Sequence, residues 1–367
     1  MEDFPQPRMV VLAGPNGSGK STVTKGLEQD ERFPKLYLNA DVIAKELEKP
    51  VAPEKLDAYA KAISDTLHQP REAVAEQLRT GIENSQQRNL YAATLAETGR
   101  QKAVGGTEPF AFETVMSTPA KMGLFDEARR NGFQVDMVFV TTESADINVA
   151  RVSNRVSQGG HDVPEASIRQ RYERAMELLP AALQKADTAA VYDNSVQGVQ
   201  PTLVAQKIDG KLVFPELTKP DKMSTEDFER MKTWVDERIK GPLLANEQSR
   251  EALTDSVKGM QGASVVPADV TNGASYTGRI VGVTDRHVMQ HLDGTTQFVL
   301  HDRNSPLTPP SLRGVNEPTE LSVTTAYNFG PDGKFAQPQQ VQAQAQVQTQ
   351  GPQDPGQQDG HKFVSKL

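Results

Sequence analysis

The sequence predicts an α/β protein: a parallel sheet flanked by helices, followed by a helical linker and a small all-β C-terminal domain. Three observations carry this. Apolar runs of strand length alternate with helix-patterned stretches up to about residue 215, the pattern of strands joined by helical crossovers in one parallel sheet. The first run ends in Gly14-Pro15-Asn16-Gly17-Ser18-Gly19-Lys20-Ser21-Thr22, a glycine loop opening a helix. Beyond about residue 275, short alternating runs are separated by Gly, Asp, Asn and Pro, which read as strands and turns.

Taken in order, Met9-Val10-Val11-Leu12-Ala13 reads as a buried parallel strand, and a helix follows from Lys20. Residues 36–38 are a second strand, ending at Asn39-Ala40-Asp41. Residues 54–103, rich in Ala, Leu, Glu, Gln and Lys, are helical in pattern. Phe110-Ala111-Phe112 is a third strand with Glu113 and Thr114 at its tip. Residues 133–140 are a fourth, and residues 188–192, ending at Asp193-Asn194, a fifth. This first domain is expected to span residues 1–215. Ser224, with Asp227 three residues on, opens a helical connector over 216–262, interrupted at Gly241-Pro242. Strands at 280–283, 287–290, 298–301 and 320–323 are expected to form a small barrel within 263–335. Residues 336–367 are a Gln/Pro-rich tail that cannot build a core and is expected to be disordered.

The bulk composition narrows the function. At 367 residues the chain has room for two or three domains. A net charge of −8 argues against broad, charge-driven nucleic-acid binding, so no nucleic-acid partner is expected for the first domain. The chain has no cysteine, which excludes disulfides, thiolate nucleophiles and cysteine metal sites. Its scattered histidines do not suggest a zinc site. The Met-Glu-Asp start lacks the basic-then-apolar order of a signal peptide. No run approaches the roughly 18 apolar residues that span a bilayer. A cytoplasmic protein without a membrane partner is expected.

The glycine loop carries the chemistry. Gly14, four residues, then Gly19-Lys20-Ser21 is a phosphate-cradling pattern. Its glycines let backbone N–H groups turn inward, and the helix start favours anions. Lys20 would reach the β- and γ-phosphates of ATP, and Ser21 would hold Mg²⁺. The wording resembles transport ATPases, but no apolar strand ends in Asp-Glu, and Gly159-Gly160 is in the wrong context for their signature loop. In an open parallel sheet, ligands gather beyond the strand C-termini. Asn39, Asp41, Glu113, Thr114, Asp193 and Asn194 are expected there. Asp41 is the candidate general base, with helix capping and support of Mg²⁺ as its other roles. Glu113 and Thr114 would bind the acceptor. Between the fourth and fifth strands, Arg151 and Arg155 share a helix face. Arg169, Arg171 and Arg174 follow after a Gly-Gly-His turn. Such a lid could stabilise charge on the transferred phosphoryl group. The alternative is a solvated helix with Glu165 and Glu173 as ion-pair partners. His161 reads as a turn residue rather than a ligand.

"AGPNGSGKST", "LNADVIA", "FAFETVMS", "ARVSNRVSQGGHDVPE", "RQRYERA" and "VYDNS" stand here in an order that resembles the zeta-toxin kinases, particularly their Gram-negative branch. The resemblance covers residues 8 to about 215. It implies a P-loop kinase fold and transfer of the ATP γ-phosphate to a hydroxyl of a nucleotide sugar, typically UDP-N-acetylglucosamine. It also implies a toxin restrained by an antitoxin protein. Carried over by position, Lys20 and Ser21 would handle ATP and Mg²⁺, Asp41 would be the base, and Asn39, Glu113 and Thr114 would face the acceptor. Arg155 and Arg171 would contact phosphate, with Arg151 or Arg169 as alternates. The strand-rich segment from "YTGRIVGVTDRHVMQH" to "TTAYNFGPDGK" resembles KfrB-like domains of plasmid and mobile-element proteins. That leaves two other functions open: a nucleotide-gated binding protein of a mobile element, and a metabolic kinase with no toxic role. On the kinase reading, residues 1–215 alone are expected to be active.

Overall fold

The computed structural model describes residues 6–158, 162–270, 273–303, 305, 307–329 and 335. The tail at 336–367 and the Gly159-Gly160-His161 turn lie outside the described residues.

The first sheet has seven strands in the order β2-β3-β1-β4-β5-β6-β7. The parallel part comprises β1 (Arg8–Ala13), β2 (Leu36–Leu38), β3 (Phe110–Thr114), β4 (Gln134–Thr141) and β5 (Thr188–Asp193). Apart from the part-exposed edge strand β2, their apolar runs are buried between helix layers, with Met9, Val11, Phe110, Phe112, Val135 and Phe139 at or near zero exposure. The glycine loop runs from β1 into α1 (Lys20–Leu27), and α2 (Ala40–Glu46) follows β2. The long helical stretch resolves into α3 (Pro53–Leu67), α4 (Arg71–Thr80) and α5 (Ser85–Val104), broken where Pro70 and Gly81 interrupt it. These helices bury a core of their own around Leu47, Ile63, Leu78 and Tyr91. Helix α6 (Pro119–Arg130) follows β3, and α7 (Ala145–Ser157) and α8 (Glu165–Lys185) lie between β4 and β5. The hairpin β6 (Thr202–Ile208) and β7 (Lys211–Val213) extends the sheet antiparallel; the sequence reading did not anticipate it.

In the connector, Ser224 caps α9 (Thr225–Val235): its Oγ accepts from Asp227 N at 3.0 Å. The expected interruption at Gly241-Pro242 is instead a turn of π-helix over Asp236–Lys240, and α10 (Gly241–Val257) continues directly from it. The second sheet is open rather than a closed barrel, in the order β12-β9-β10-β11-β8. It contains β8 (Ser264–Pro267), β9 (Ala274–Val283), β10 (His287–Leu292), β11 (Gln297–Asp302) and β12 (Val323–Tyr327). The four expected strands are present in longer or shifted form, because β9 begins six residues earlier and β12 three later than the alternation suggested. The described residues pack as one compact unit. One core joins Phe139 and Leu179 of the first sheet and its helices to Met231, Trp234 and Ile239 of the connector, and to Val299 and Tyr327 of the second sheet.

Candidate phosphoryl-transfer site

Strand order places the tips of β2, β3 and β1 side by side, with Leu12 opposite Glu113 and Ala13 opposite Thr114. The glycine loop therefore leaves the sheet next to the Phe-Glu-Thr tip. Gly14 has φ 142°, and a Cβ there would lie 2.0 Å from the Val140 carbonyl. Gly19 has φ 90°, and a Cβ there would lie 2.0 Å from Asn194 Nδ2. Both positions demand glycine. The loop is held by β3 and by Asn194 and is closed by one bond of its own. Gly14 N donates to Thr114 O at 3.2 Å, Ser18 N to Pro15 O at 3.2 Å, and Asn194 Nδ2 to Ser18 O at 2.8 Å. No side chain caps the start of α1, so its first N–H groups are left for a ligand. Ser21 and Thr22 are exposed on that first turn.

Lys20 is buried, and its Nζ donates to Gly14 O at 2.8 Å and Pro15 O at 3.1 Å. It lies 3.6 Å from Glu113 Oε1. Burial lowers its pKa; the Glu113 and Asp41 carboxylates oppose the shift and Arg155 adds to it. Glu113 Oε2 accepts from Asn39 Nδ2 at 2.8 Å and from Tyr37 OH at 3.1 Å, and Asn39 Nδ2 also reaches Tyr37 OH at 2.9 Å. Burial and the neighbouring carboxylate push the Tyr37 phenol well above its ordinary pKa, so it stays a donor. The sequence reading missed Tyr37. The signal was there: β2 has period 2, so Tyr37 and Asn39 share a face.

Asn39 caps α2, its Oδ1 accepting from Asp41 N at 2.8 Å. Of the roles weighed for Asp41, capping thus falls to Asn39. Asp41 is exposed in the first turn of α2, its carboxylate within electrostatic reach of Lys20. Thr114 is buried, its Oγ1 accepting from Met116 N at 3.1 Å and its carbonyl from Gly14 N. It braces the loop against β3 while its hydroxyl proton stays available.

The arginines separate. Arg171 on α8 donates to Asn16 Oδ1 at 3.3 Å, and Arg155 on α7 is within electrostatic reach of Lys20. Arg169 turns away, pairing with Asp146 at 2.6 Å and Glu165 at 2.8 Å. Arg151 donates to Ser195 O at 3.2 Å behind the fifth strand tip. There Asp193 is 2% exposed, and burial pushes its carboxyl up to about 6 although Ser195 hydrogen-bonds both of its oxygens.

The profile of the AAA domain family matches residues 9–178, and that of the KfrB Domain matches residues 275–316. An uncharacterized protein of Haemophilus influenzae is 25% identical over 169 residues, covering 46% of this chain and 94% of that protein. Three solved structures are similar in part. One is AvrRxo1-ORF1:-ORF2 with ATP, at 14% identity and TM-score 0.42, covering 64% of each chain. This chain thus spans a little under two thirds of that one. The second, from the PezAT chromosomal toxin–antitoxin system of Streptococcus pneumoniae, is 13% identical with TM-score 0.36, covering 66% of this chain and 89% of that one. The third, a gluconokinase of Sinorhizobium meliloti, is 16% identical with TM-score 0.23, covering 46% and 74%.

Proposed function

We propose that the chain is an ATP-dependent small-molecule kinase of the zeta-toxin type. It transfers the γ-phosphate to a hydroxyl of a nucleotide sugar, UDP-N-acetylglucosamine or a relative, and acts as a bacterial toxin held in check by an antitoxin protein. One observation carries the reading. Lys20 of the glycine loop lies 3.6 Å from Glu113, which is itself held by Asn39 and Tyr37 at the neighbouring strand tips. A phosphate-binding cation and an acid with its own donors meet in one place, as a donor site beside an acceptor site requires.

The roles follow from position. The open N–H groups of α1 and the Lys20 ammonium neutralise charge on the phosphates. Arg155 and Arg171 approach the loop from α7 and α8 and stabilise the charge that develops in transfer. A positioned arginine is worth on the order of a thousandfold in rate. Asn39 and Glu113 orient the acceptor hydroxyl, and the Asp41 carboxylate takes its proton. An ordinary carboxylate suffices, because phosphoryl transfer rests mainly on positioning and electrostatics. Among the described residues no group of three or more His, Cys, Asp or Glu could hold a metal. The exposed Ser21 hydroxyl fits Mg²⁺ held by one protein ligand, phosphates and waters. Bound there, Mg²⁺ would supply charge neutralisation between the phosphates. Among the described residues no helix is long and apolar enough to cross a membrane.

The test is incubation of the full chain with Mg-ATP and a panel of nucleotide sugars, read by mass spectrometry. Wild type should give a product heavier by one phosphoryl group; Asp41→Ala and Lys20→Ala should not. No product from wild type, or an undiminished yield from Asp41→Ala, overturns the reading. The KfrB Domain match favours a second reading, a nucleotide-gated binding protein. It predicts ATP-dependent partner retention without turnover.

A further inference from the structure

The second sheet presents two faces. Val299, in the core shared with the α/β half, projects from one; its β11 neighbours Phe298 and Leu300 project from the other. Helix α10 covers part of that outer face, with Leu253 and Val257 against Met289, Phe298 and Leu300. It packs so closely that a Cβ on Gly282 would lie 2.6 Å from Leu253 Cδ2. Beside the helix a groove of about 540 Å³ is left open. Its floor is Val257, Met289 and Phe298, each 4% exposed or less, and its rim carries Met260 at 54% and Val281 at 36%. Exposed large apolar side chains around a concave apolar floor mark a binding surface.

The groove runs across the strands. Arg279 on β9 stands opposite His291 on β10, and His291 opposite Phe298 on β11. At a strand spacing of about 4.8 Å the three make a row about 10 Å long. The His291 ring lies flat on Phe298, with centroids 4.6 Å apart and planes 18° from parallel, and its Nε2 is tied to Thr295 O at 2.8 Å. Two of the lining hydroxyls are spent on backbone carbonyls: Ser256 Oγ donates to Leu253 O at 2.6 Å and Thr295 Oγ1 to Leu292 O at 3.0 Å. At the β9 end of the row the Arg279 side chain is exposed, and among the described residues no carboxylate pairs with it. The groove thus offers an apolar length that ends in one unmatched cation.

Its shape decides between occupants. Side-chain rows on one face of a strand recur about every 6.8 Å. The groove fills one row, between the Gly282, Met289 and Leu300 row beneath α10 and the turn at 293–296. That is too narrow for a helix of about 10 Å. Strands β9, β10 and β11 are all interior to the sheet, so their backbone groups are already paired, and an extended peptide lying across them would leave its own amides unmet. A hydrocarbon chain carries no such groups. We propose that this groove binds a linear apolar carboxylate, of the medium-chain fatty acid kind, with its chain along His291 and Phe298 and its carboxylate on Arg279. The site is on the sheet face turned away from the shared core and does not depend on the kinase reading.

The test titrates the full chain with decanoate, decanol, decylammonium and butyrate below their micelle-forming concentrations. Binding is read by calorimetry and its place by the methyl resonances of ¹³C-labelled methionines. Decanoate should shift the Met260 and Met289 signals while those of Met9 and Met137, in the α/β core, stay put. Decanol should bind about tenfold more weakly for want of a charge, and butyrate at least about thirtyfold more weakly for want of apolar length. Arg279 is exposed, so its variants should fold. Arg279→Gln should bring decanoate down to the level of decanol, and Arg279→Glu should invert the preference, so that decylammonium binds better than decanoate. Unmoved Met260 and Met289 signals, decanol binding as tightly as decanoate, or an Arg279→Glu variant that still prefers decanoate overturns the proposal. The wild-type arms decide it even where a variant fails to fold, and no turnover is measured, so its failure is separate from failure of the kinase assay.

Discussion

Truncation after residue 215 is predicted to unfold the α/β half rather than release an active kinase. The main core does not stop at the connector. Met223, Phe228, Met231, Trp234, Val235, Ile239 and Leu243 all belong to it, each 9% exposed or less. Burying one such side chain is worth about 1.5–3 kcal/mol, so this set contributes about 10–20 kcal/mol gross. Part of that area faces other connector residues, and unfolded-chain references overstate burial. Assigning about half to the α/β half leaves about 5–10 kcal/mol, comparable to the whole stability of a domain at about 5–15 kcal/mol. Polar ties add to it: Arg230 to Glu143 at 2.8 Å and Arg238 to Glu173 at 3.0 Å. The assay compares residues 1–215 with 1–335 by thermal circular dichroism and by binding of a hydrophobic dye. The longer form should melt cooperatively; the shorter should melt broadly, bind dye and lack activity. A cooperative melt of 1–215 within about 5 °C of the longer form, with product formed, refutes the argument and restores the expectation drawn from sequence.

Gly19→Ala should abolish ATP binding while leaving the melting temperature within a few degrees, because its Cβ meets Asn194 at 2.0 Å in a left-handed backbone. Asn194→Ala loses the bond to Ser18 O and should weaken ATP about fivefold in titration. Arg171→Ala should lower kcat by about a hundredfold or more, whereas Arg169→Ala, which breaks only surface pairs with Asp146 and Glu165, should leave kcat unchanged; equal losses would sink the assignment. Asp193 has a folded pKa raised from 3.8 to about 6, so its contribution to stability is full below about pH 4 and is lost as pH rises through 6. That loss amounts to about 3 kcal/mol. The melting temperature of Asp193→Asn relative to wild type should therefore rise between pH 4 and pH 7, and a flat difference would count against the burial argument.

What the sequence could reveal tracks how local the physics is. Four buried parallel strands and the part-exposed edge strand β2 show as apolar runs, and their tips could be listed because ligands gather at strand C-termini. The hairpin β6–β7 and edge strand β8 were missed because β6 mixes apolar and polar residues without a clean alternation, while β7 and β8 are only three and four residues long and largely half-exposed. The lid shows a different limit. Ile168, Tyr172, Ala175, Met176 and Leu179 form the buried stripe of α8. At 100° per residue, Arg169 and Arg171 fall on opposite borders of that stripe. Periodicity says that only one can face the loop; the packing of α8 against β4, through Tyr172 OH to Thr142 O at 2.7 Å, decides that it is Arg171.

The Lys20 contacts bear on how the two halves of the site are coupled. An ammonium has three N–H donors, and those of Lys20 serve two loop carbonyls and face Glu113. On the kinase reading, a phosphate in the loop competes for those same donors. As Lys20 turns toward it, Glu113 keeps Tyr37 and Asn39 on Oε2, while Oε1 loses its cation and becomes free to accept from a hydroxyl. Filling the donor half thus prepares the acceptor half with no backbone movement. Coupling of this kind is reciprocal: an acceptor hydroxyl on Glu113 releases Lys20 toward the phosphates. The acid that looks like a structural partner of the loop lysine is then the element through which each substrate favours the other.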